Sequence, residues 1–301
     1  MKFFLPLALA GAATAAPLVA RAVNDVDVLQ FALTLEHLEN VFYQDALKKF
    51  SEHDFKKAGF GSFYYRNLKF ISFDEKVHVK YLEDGLRSAK STPVKACEYK
   101  FPYTDVKSFI GLSSVLEGVG TSAYTGAAAA ITDKDYLTSA AAILVTEAKH
   151  TSLQRYVLGK IAPDNPYGTP LSPNEVFTLA GAFIVKCPAD NYKLPFSAFP
   201  TLTAEIGNLP QVGQTHITEF STKAAVPEGS YLTFVSGLDV TSVKAVKGSN
   251  GYYSAAVPNT AEGQSYVILT KTDVSNGTIT DNIVVAGPAV LEVCSNIGPH
   301  Y

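Results

Sequence analysis

Acidic side chains recur on the apolar faces of four helical segments, and their placement limits what the chain can fold into. The order along the chain is Glu, Glu-x-x-His, Glu, Glu-x-x-His, with one motif in each segment. An ionised carboxylate among apolar side chains is unfavourable by several kcal/mol unless it is paired or binds a metal ion. The inward-facing residues must therefore meet one another or a shared partner: Glu36, Glu75, His78, Glu117, Glu147 and His150.

The periodicity of the apolar residues predicts four long helices. They span residues 25–50, 61–89, 105–131 and 133–161. Residues three apart share a helix face, so the Glu and His of one Glu-x-x-His motif can bind the same metal ion. In a four-helix bundle, one such motif or glutamate per helix is the ligand set of two metal ions. A single Glu-x-x-His motif would favour satisfied core histidines and buried ion pairs, but the complete set favours a metal site.

Three further side chains are predicted to support these ligands. Tyr43 and Tyr124 each follow a glutamate of the pattern by seven residues, which is two helical turns along the same face. Their hydroxyls are expected to hydrogen-bond the carboxylates of the opposite half, although aromatic core packing is an equal alternative. Asp74 is placed to accept the free ring N–H of His150, as carboxylates beside metal-bound histidines often do.

Glu39 breaks the symmetry between the two halves of the pattern. It lies one turn after the first glutamate and near the middle of the apolar stripe, which predicts a ligand or near-ligand. If the helix is rotated further, Glu39 is instead an exposed residue. The corresponding position in the second half is Gly120, which leaves a gap. On the opposite, polar side of the first helix we expect Gln30 and His37, and we also expect His53 at the surface.

The first residues have the pattern of a secretory signal peptide. Lys2 precedes an apolar run that is too short to span a bilayer, and small residues follow, with cleavage expected near Ala15 or Ala16. We therefore assign residues 1–16 to a signal peptide, with a buried N-terminal helix as the alternative. No later segment is long and apolar enough to predict a membrane span. A net charge of −3 gives no reason to expect nucleic-acid binding.

The remainder of the chain predicts an appended β domain, so that the fold class is mainly α followed by β. A capping sequence indicates a short fifth helix over residues 174–185, within a bundle domain of residues 24–199. A Pro-rich linker follows over residues 200–214. Over residues 215–301, alternating β-branched and polar residues between turns predict an Ig-like antiparallel β-sandwich of roughly seven strands. It contains no ligand set, so we expect it to be dispensable for metal chemistry and to serve attachment, secretion or solubility.

Three cysteines fit an oxidising compartment but leave one without a partner. Cys97 and Cys187 both fall in loops that flank predicted bundle helices, and we expect these two to pair. Cys294 is then the remaining thiol. Asn276-Gly277-Thr278 is an N-glycosylation sequon in a turn-like stretch, which would suit a secreted glycoprotein.

The helical motifs resemble a known domain. The segments LQFALTLEHLENVFYQDAL, DEKVHVKYL, SVLEGVGTSAYTGAA and VTEAKHTSLQRY are similar to the ferritin-like domain of fungal secreted stress-response or late-sexual-development proteins. Desiccation-related proteins of plants and bacteria share this domain. The resemblance covers residues 25–199 and implies a ferritin-like bundle with a carboxylate-bridged dimetal centre. The ligands it implies are the six residues of the pattern: Glu36, Glu75, His78, Glu117, Glu147 and His150.

This ligand set predicts a reaction class. Carboxylates with one imidazole per metal suit two Fe or Mn ions, and Glu75 and Glu147 are expected to bridge them. Two redox ions about 3.5–4 Å apart can together reduce peroxide or O₂ by two electrons. We therefore expect a secreted catalase- or peroxidase-like oxidoreductase in a stress response, with a small oxidant as its partner. The alternative is a non-catalytic extracellular or cell-wall protein with a structural or vestigial metal site and a β domain that contacts the wall.

Overall fold

The computed structural model of the protein describes residues 23–205 and 217–294. The predicted signal peptide, His216 and most of the predicted linker lie outside these ranges. The described part consists of a helical bundle followed by antiparallel β-sheets. The predicted order of a mainly α region followed by a β region is thereby confirmed. Among the described helices, none combines the length and the apolar character that crossing a bilayer requires.

In the described part of the chain, six α-helices build the bundle: α1 Asp25–Lys49, α2 Glu52–Lys57, α3 Ser62–Ser88, α4 Val106–Ala127, α5 Lys134–Val157 and α6 Pro173–Gly181. The four long predicted helices are present as α1, α3, α4 and α5. Capping boxes at Asn24, Ser51, Asp105 and Ser172 satisfy the first backbone N–H groups of α1, α2, α4 and α6. The short helix α2 was not among the predicted elements, since a single turn and a half carries little periodicity.

The predicted fifth helix is shorter than the sequence indicated. Helix α6 ends at Gly181, and strand β2 (Ile184–Lys186) follows where the helix was expected to continue. Strand β2 pairs antiparallel with β1 (Glu98–Tyr99) in the connection from α3 to α4. A disulfide between Cys97 and Cys187 joins the two segments beside this pairing, so the predicted cysteine pairing is confirmed.

The connection from α3 to α4 covers the outer side of α1. Gln30 donates to the carbonyl of Thr92 and accepts from the N–H of Val94, and Nε2 of His37 lies 3.0 Å from the Val94 carbonyl oxygen. The prediction that Gln30 and His37 face solvent is therefore wrong, whereas His53 is exposed. Polar periodicity identifies the side of a helix that avoids the core, but a long connection can still lie across that side.

Among the described residues, eight strands form two antiparallel sheets after the bundle: β3 Thr203–Glu205, β4 Ile217–Ser221, β5 Tyr231–Ser236, β6 Asp239–Lys244, β7 Val246–Lys247, β8 Tyr253–Ala256, β9 Gly263–Thr270 and β10 Val284–Val293. One sheet has the order β10-β9-β5-β6, and the other has the order β3-β4-β8-β7. Strand β3 pairs with β4 although it lies within the predicted linker. The β region therefore begins earlier than the sequence indicated.

The central strands β5 and β9 of the β10-β9-β5-β6 sheet are buried on both faces. Along β9, Val267 and Leu269 point into the core between the two sheets, while Tyr266 and Ile268 join the hydrophobic core of the bundle. Val235 of β5 joins the bundle core in the same way. Because successive residues of a strand point to opposite faces, a strand buried on both sides carries a continuous apolar run. The sandwich is thus packed directly onto the helices.

Candidate metal centre

The six residues of the Glu and His pattern meet in the core of the bundle. Helix α1 carries the first glutamate, α3 and α5 carry the two Glu-x-x-His motifs, and α4 carries the remaining glutamate. Every one of these side chains is buried, with an exposed fraction of at most 8%. The structure thus brings all six together: Glu36, Glu75, His78, Glu117, Glu147 and His150.

The ligating atoms form two overlapping groups, each of which could hold one metal ion. The first group contains Glu36, Glu75, His78 and Glu147, and within each group the ligating atoms lie within 4.8 Å of one another. The second group contains Glu75, Glu117, Glu147 and His150. Both groups therefore share Glu75 and Glu147.

The two oxygens of Glu75 face opposite groups. Its Oε2 atom lies 3.5 Å from Nδ1 of His78, whereas Oε1 lies 3.0 Å from Nδ1 of His150. The two imidazole rings stand on either side, with 6.5 Å between their centroids. A carboxylate placed in this way can give one oxygen to each of two ions, which is the arrangement of a bridging ligand.

The donor atoms fit metal ions better than they fit one another. Nine buried side-chain atoms of the described residues have no hydrogen-bond partner, and eight of them belong to these six residues, the ninth being Oγ of Ser114. Both oxygens of Glu75 and of Glu147 are among the eight. Buried polar atoms are rarely left unsatisfied, so a concentration of them at one place points to a positively charged ligand.

Burial and mutual repulsion shape the protonation of the metal-free cluster. Burial raises the pKa of Glu75 to about 7. Burial, followed by the nearby charge of Glu75, raises the pKa of Glu147 well above its usual value. Burial alone would lower the histidine pKa values, but the adjoining carboxylates outweigh it and raise the pKa of His150 to about 12, with the pKa of His78 also raised. Without metal, protons bound to the cluster therefore neutralise part of its negative charge. A metal ion that binds here must displace those protons.

The two tyrosines hydrogen-bond the carboxylates of the opposite half. The hydroxyl of Tyr124 donates to Oε1 of Glu36 at 2.6 Å, and the hydroxyl of Tyr43 donates to Oε1 of Glu117. In each case burial, followed by the adjoining carboxylate, raises the tyrosine pKa well above its usual value. Both hydroxyls therefore keep their protons and orient the outer glutamates from beyond the ligand set.

A hydrogen-bonded chain extends from Tyr43 to the end of the bundle. Tyr64 donates to Oε1 of Gln154 at 2.5 Å, and Nε2 of Gln154 donates to the Tyr43 hydroxyl at 3.2 Å. Ser113 also contacts that hydroxyl, at 2.6 Å. None of Tyr64, Ser113 and Gln154 was predicted from the sequence. A usable signal was present, since Gln154 follows Glu147 by seven residues, the spacing that identified the tyrosines.

His150 has a carboxylate behind it, as the spacing indicated. Its Nε2 atom lies 3.2 Å from Oδ2 of Asp74, while Nδ1 points towards the cluster. The position that corresponds to Asp74 on α5 is Thr146, whose hydroxyl donates to the Ala142 carbonyl of its own helix at 3.4 Å. His150 therefore has a carboxylate beside its outer ring nitrogen, and the corresponding residue for His78 is a threonine bonded to its own helix.

Glu39 lies outside both groups but close to them. It is buried, and burial, followed by the charge of Glu147, raises its pKa well above the usual value. A Cβ atom at Gly120 would lie 2.8 Å from Oε1 of Glu39 and 3.3 Å from Oε2 of Glu147. The gap at Gly120 is therefore filled by the Glu39 carboxyl group, which explains why the extra carboxylate and the glycine occur together.

The β-sandwich contacts the helix that carries Glu117. Nε2 of Gln264 donates to the Val115 carbonyl at 3.1 Å, and the hydroxyl of Tyr266 donates to the Gly118 carbonyl at 3.0 Å. These two residues of β9 flank the ligand from outside the bundle. They were not predicted from the sequence, because nothing in a strand pattern shows which helix the strand will cover.

Comparison with known proteins identifies the helical region. Residues 24–160 match the family model described as a ferritin-like domain. This chain carries a ferritin-like domain. Over 182 residues it is 29% identical to Protein rds1 of Schizosaccharomyces pombe (strain 972 / ATCC 24843), across 59% of this chain and 44% of that protein. The chain thus spans less than half the length of this relative. The predicted resemblance to fungal ferritin-like proteins is confirmed.

Proposed function

We propose that the protein is a dimetal oxidoreductase that binds two Fe or Mn ions and reduces peroxide or O₂. The observation that carries this proposal is the pair of ligand groups that share Glu75 and Glu147. Sharing two carboxylates holds two ions close together, whereas two separate sites would not require it. Carboxylates with one imidazole per ion suit Fe and Mn better than softer metals.

The buried residues have distinct parts in this proposal. Glu75 and Glu147 would be shared by the two ions, and one further glutamate and one histidine would complete each site. When bound, two redox ions would supply the two electrons that reduce one peroxide, and a second peroxide would return them as it is oxidised to O₂. The chain itself binds and orients, because Tyr43 and Tyr124 hold the outer glutamates by hydrogen bonds. The pairs that complete the two sites are Glu36 with His78 and Glu117 with His150.

We further propose that the protein acts outside the cell in a stress response. The apolar start of the chain, the sequon at Asn276 and the disulfide between Cys97 and Cys187 support secretion. Asn276 is exposed in a turn, where a glycan would have room. The outer sheet of the sandwich would then be available to contact the cell wall.

Metal analysis of variants tests the centre. The protein should contain two Fe or Mn ions by elemental analysis and should consume peroxide. Glu75→Gln and Glu147→Gln preserve shape but remove the bridging charge, so each should lose both ions. Glu83→Gln on the same helix as Glu75 is the matched control, since Glu83 pairs with Arg87 near the surface and lies away from the ligand groups.

Two results would count against the proposal in different ways. Stoichiometric metal in Glu75→Gln protein would contradict the bridging assignment. Two bound ions without peroxide or O₂ consumption would contradict the catalytic role and would leave the non-catalytic extracellular protein as the better description.

A further inference from the structure

An apolar cavity lies in the bundle on the side of the candidate metal centre opposite the Tyr64–Gln154 chain. It is bordered by the first turns of α1 and α5 and the last turns of α3 and α4, and its volume is about 60 Å³. Small residues on all four helices leave this space: Ala32, Gly85, Ala123, Ala127 and Ala140.

The inner wall of the cavity is shared with the candidate metal centre. Tyr124 lines the cavity with its ring while its hydroxyl donates to Glu36 at 2.6 Å. Leu35, the residue before Glu36, lines the same wall. A molecule in the cavity would therefore lie against the residue that orients one of the ligands.

The outer end of the cavity is polar. Tyr81 is 50% exposed, and its hydroxyl lies 2.5 Å from Oγ of Ser139. Both residues line the cavity, as does Tyr136. Hydroxyl groups are thus concentrated where the cavity meets solvent, and the remaining lining is aliphatic or aromatic.

The lining defines the chemistry of an occupant. None of the described lining residues is charged, which disfavours ions and strongly polar molecules. A single water needs roughly 10–15 Å³ of such space, so this cavity has room for a slim chain of several atoms and not for a branched or fused-ring molecule. Apolar cavities of this kind stay dry and take up apolar ligands.

We propose that this cavity binds an unbranched alkyl chain with one uncharged polar end, placed beside the candidate metal centre. The chain lies among the small residues of the four helices, and its polar end meets the hydroxyls of Tyr81 and Ser139. Any reaction of this ligand at the metal centre would rest on the proposed function, but its binding in the cavity requires no metal. An experiment can therefore refute the alkyl-binding cavity without refuting the dimetal centre, and the reverse.

Titration calorimetry with 1-hexanol tests the cavity. The metal-free protein should bind 1-hexanol with saturation, and 1,6-hexanediol should bind at least about tenfold more weakly because its second hydroxyl would be buried without a partner. Ala140→Leu should weaken 1-hexanol binding by about tenfold or more, since the larger side chain fills the cavity. Ala141→Leu is the matched control, because Ala141 is exposed on the same helix and does not line the cavity.

A second variant keeps the test decisive if Ala140→Leu does not fold. Ala32→Leu enters the same space from α1, because Ala32 also lines the cavity, and it should also weaken 1-hexanol binding. Absence of saturable binding, or an equal loss in Ala141→Leu, would overturn the cavity site. Elemental analysis of the protein as purified, before its metal is removed for calorimetry, separates the two proposals. Two bound metal ions without alcohol binding would refute the cavity site alone, whereas alcohol binding without metal would support it and refute the metal centre.

Discussion

At the scale of single residues, the two halves of the candidate centre have similar ligands and different surroundings. His150 has the carboxylate of Asp74 behind it, while Thr146 occupies the corresponding place behind the other motif. Tyr43 belongs to a hydrogen-bonded chain, whereas Tyr124 borders an apolar cavity. Two ions bound here would therefore differ in affinity and in what can approach them.

Asp74→Asn should lower the binding affinity for the metal ion that His150 would hold. A carboxylate behind a metal-bound histidine orients the ring and raises its basicity, and loss of such a partner typically costs roughly 10–100-fold in affinity. The other ion should bind as before, so in a metal titration followed by elemental analysis only one of the two ions should require a higher metal concentration than in the unmodified protein. Thr146→Val, at the equivalent place on α5, serves as the control and should leave both affinities unchanged. Equal weakening of both ions would show that Asp74 acts on the whole cluster.

At the scale of secondary-structure elements, strand β9 and helix α4 depend on each other. Gly118 has no side chain, and the space is taken by Gln264, since a Cβ atom there would lie 2.6 Å from Cδ of Gln264. The close approach allows Gln264 and Tyr266 to donate to carbonyl groups of α4 on both sides of Glu117. The strand thus fixes the part of the helix that carries a ligand.

Gly118→Ala and Gly111→Ala should change stability in opposite directions. Alanine is favoured over glycine in a helix by about 1 kcal/mol, and Gly111 has open space for the added methyl group, so Gly111→Ala should stabilise the protein. Gly118→Ala must displace the Gln264 amide and break its bond to the helix, for an expected net loss of about 1–2 kcal/mol. Urea denaturation measures both. A stabilised Gly118→Ala protein would mean that Gln264 moves aside at no cost.

At the scale of the whole molecule, the bundle and the sandwich form a continuous structure. Arg155 of α5 is only 2% exposed, and its guanidinium pairs with Glu292 of β10 at 2.9 Å and with Asp164 at 3.1 Å. Lys160 also reaches Glu292, at 3.0 Å. Together with the apolar side of β9, this ion-pair network joins the β domain to the bundle, whereas its dispensability for the metal chemistry stays a prediction.

Arg155→Met should destabilise the protein far more than Arg87→Met. Removing one partner of a buried ion pair typically costs about 3–5 kcal/mol. Here Asp164 would lose its guanidinium partner while Glu292 would keep Lys160, so a loss at the lower end of this range is expected. Arg87 makes comparable pairs with Glu83 and Asp84, but on the surface, where an ion pair contributes about 0–1 kcal/mol. Thermal or urea unfolding should separate the two variants. Similar losses in both would indicate that the junction with the sandwich adds little to stability.

Local features of the protein could be predicted from the order of its residues. Helical periodicity and the Glu-x-x-His spacing identified the four long helices and the six residues that meet in the core, because residues three or four apart share a face in any helix. Seven-residue spacing likewise placed Tyr43 and Tyr124 beside the ligands. The positions of Cys97 and Cys187 in flanking loops indicated their pairing. Each of these inferences depends on the geometry of one element or on its immediate flanks.

The way in which separate elements cover one another became visible only in the folded chain. The connection between α3 and α4 buries Gln30 and His37, and the sandwich lies against α4 through Gln264. Glu39 fills the gap left by Gly120 on a different helix. The physical reason is common to all of these cases. Burial and contact across elements depend on which surfaces pack together, and a periodic pattern records which side of an element is apolar without specifying the partner that covers it.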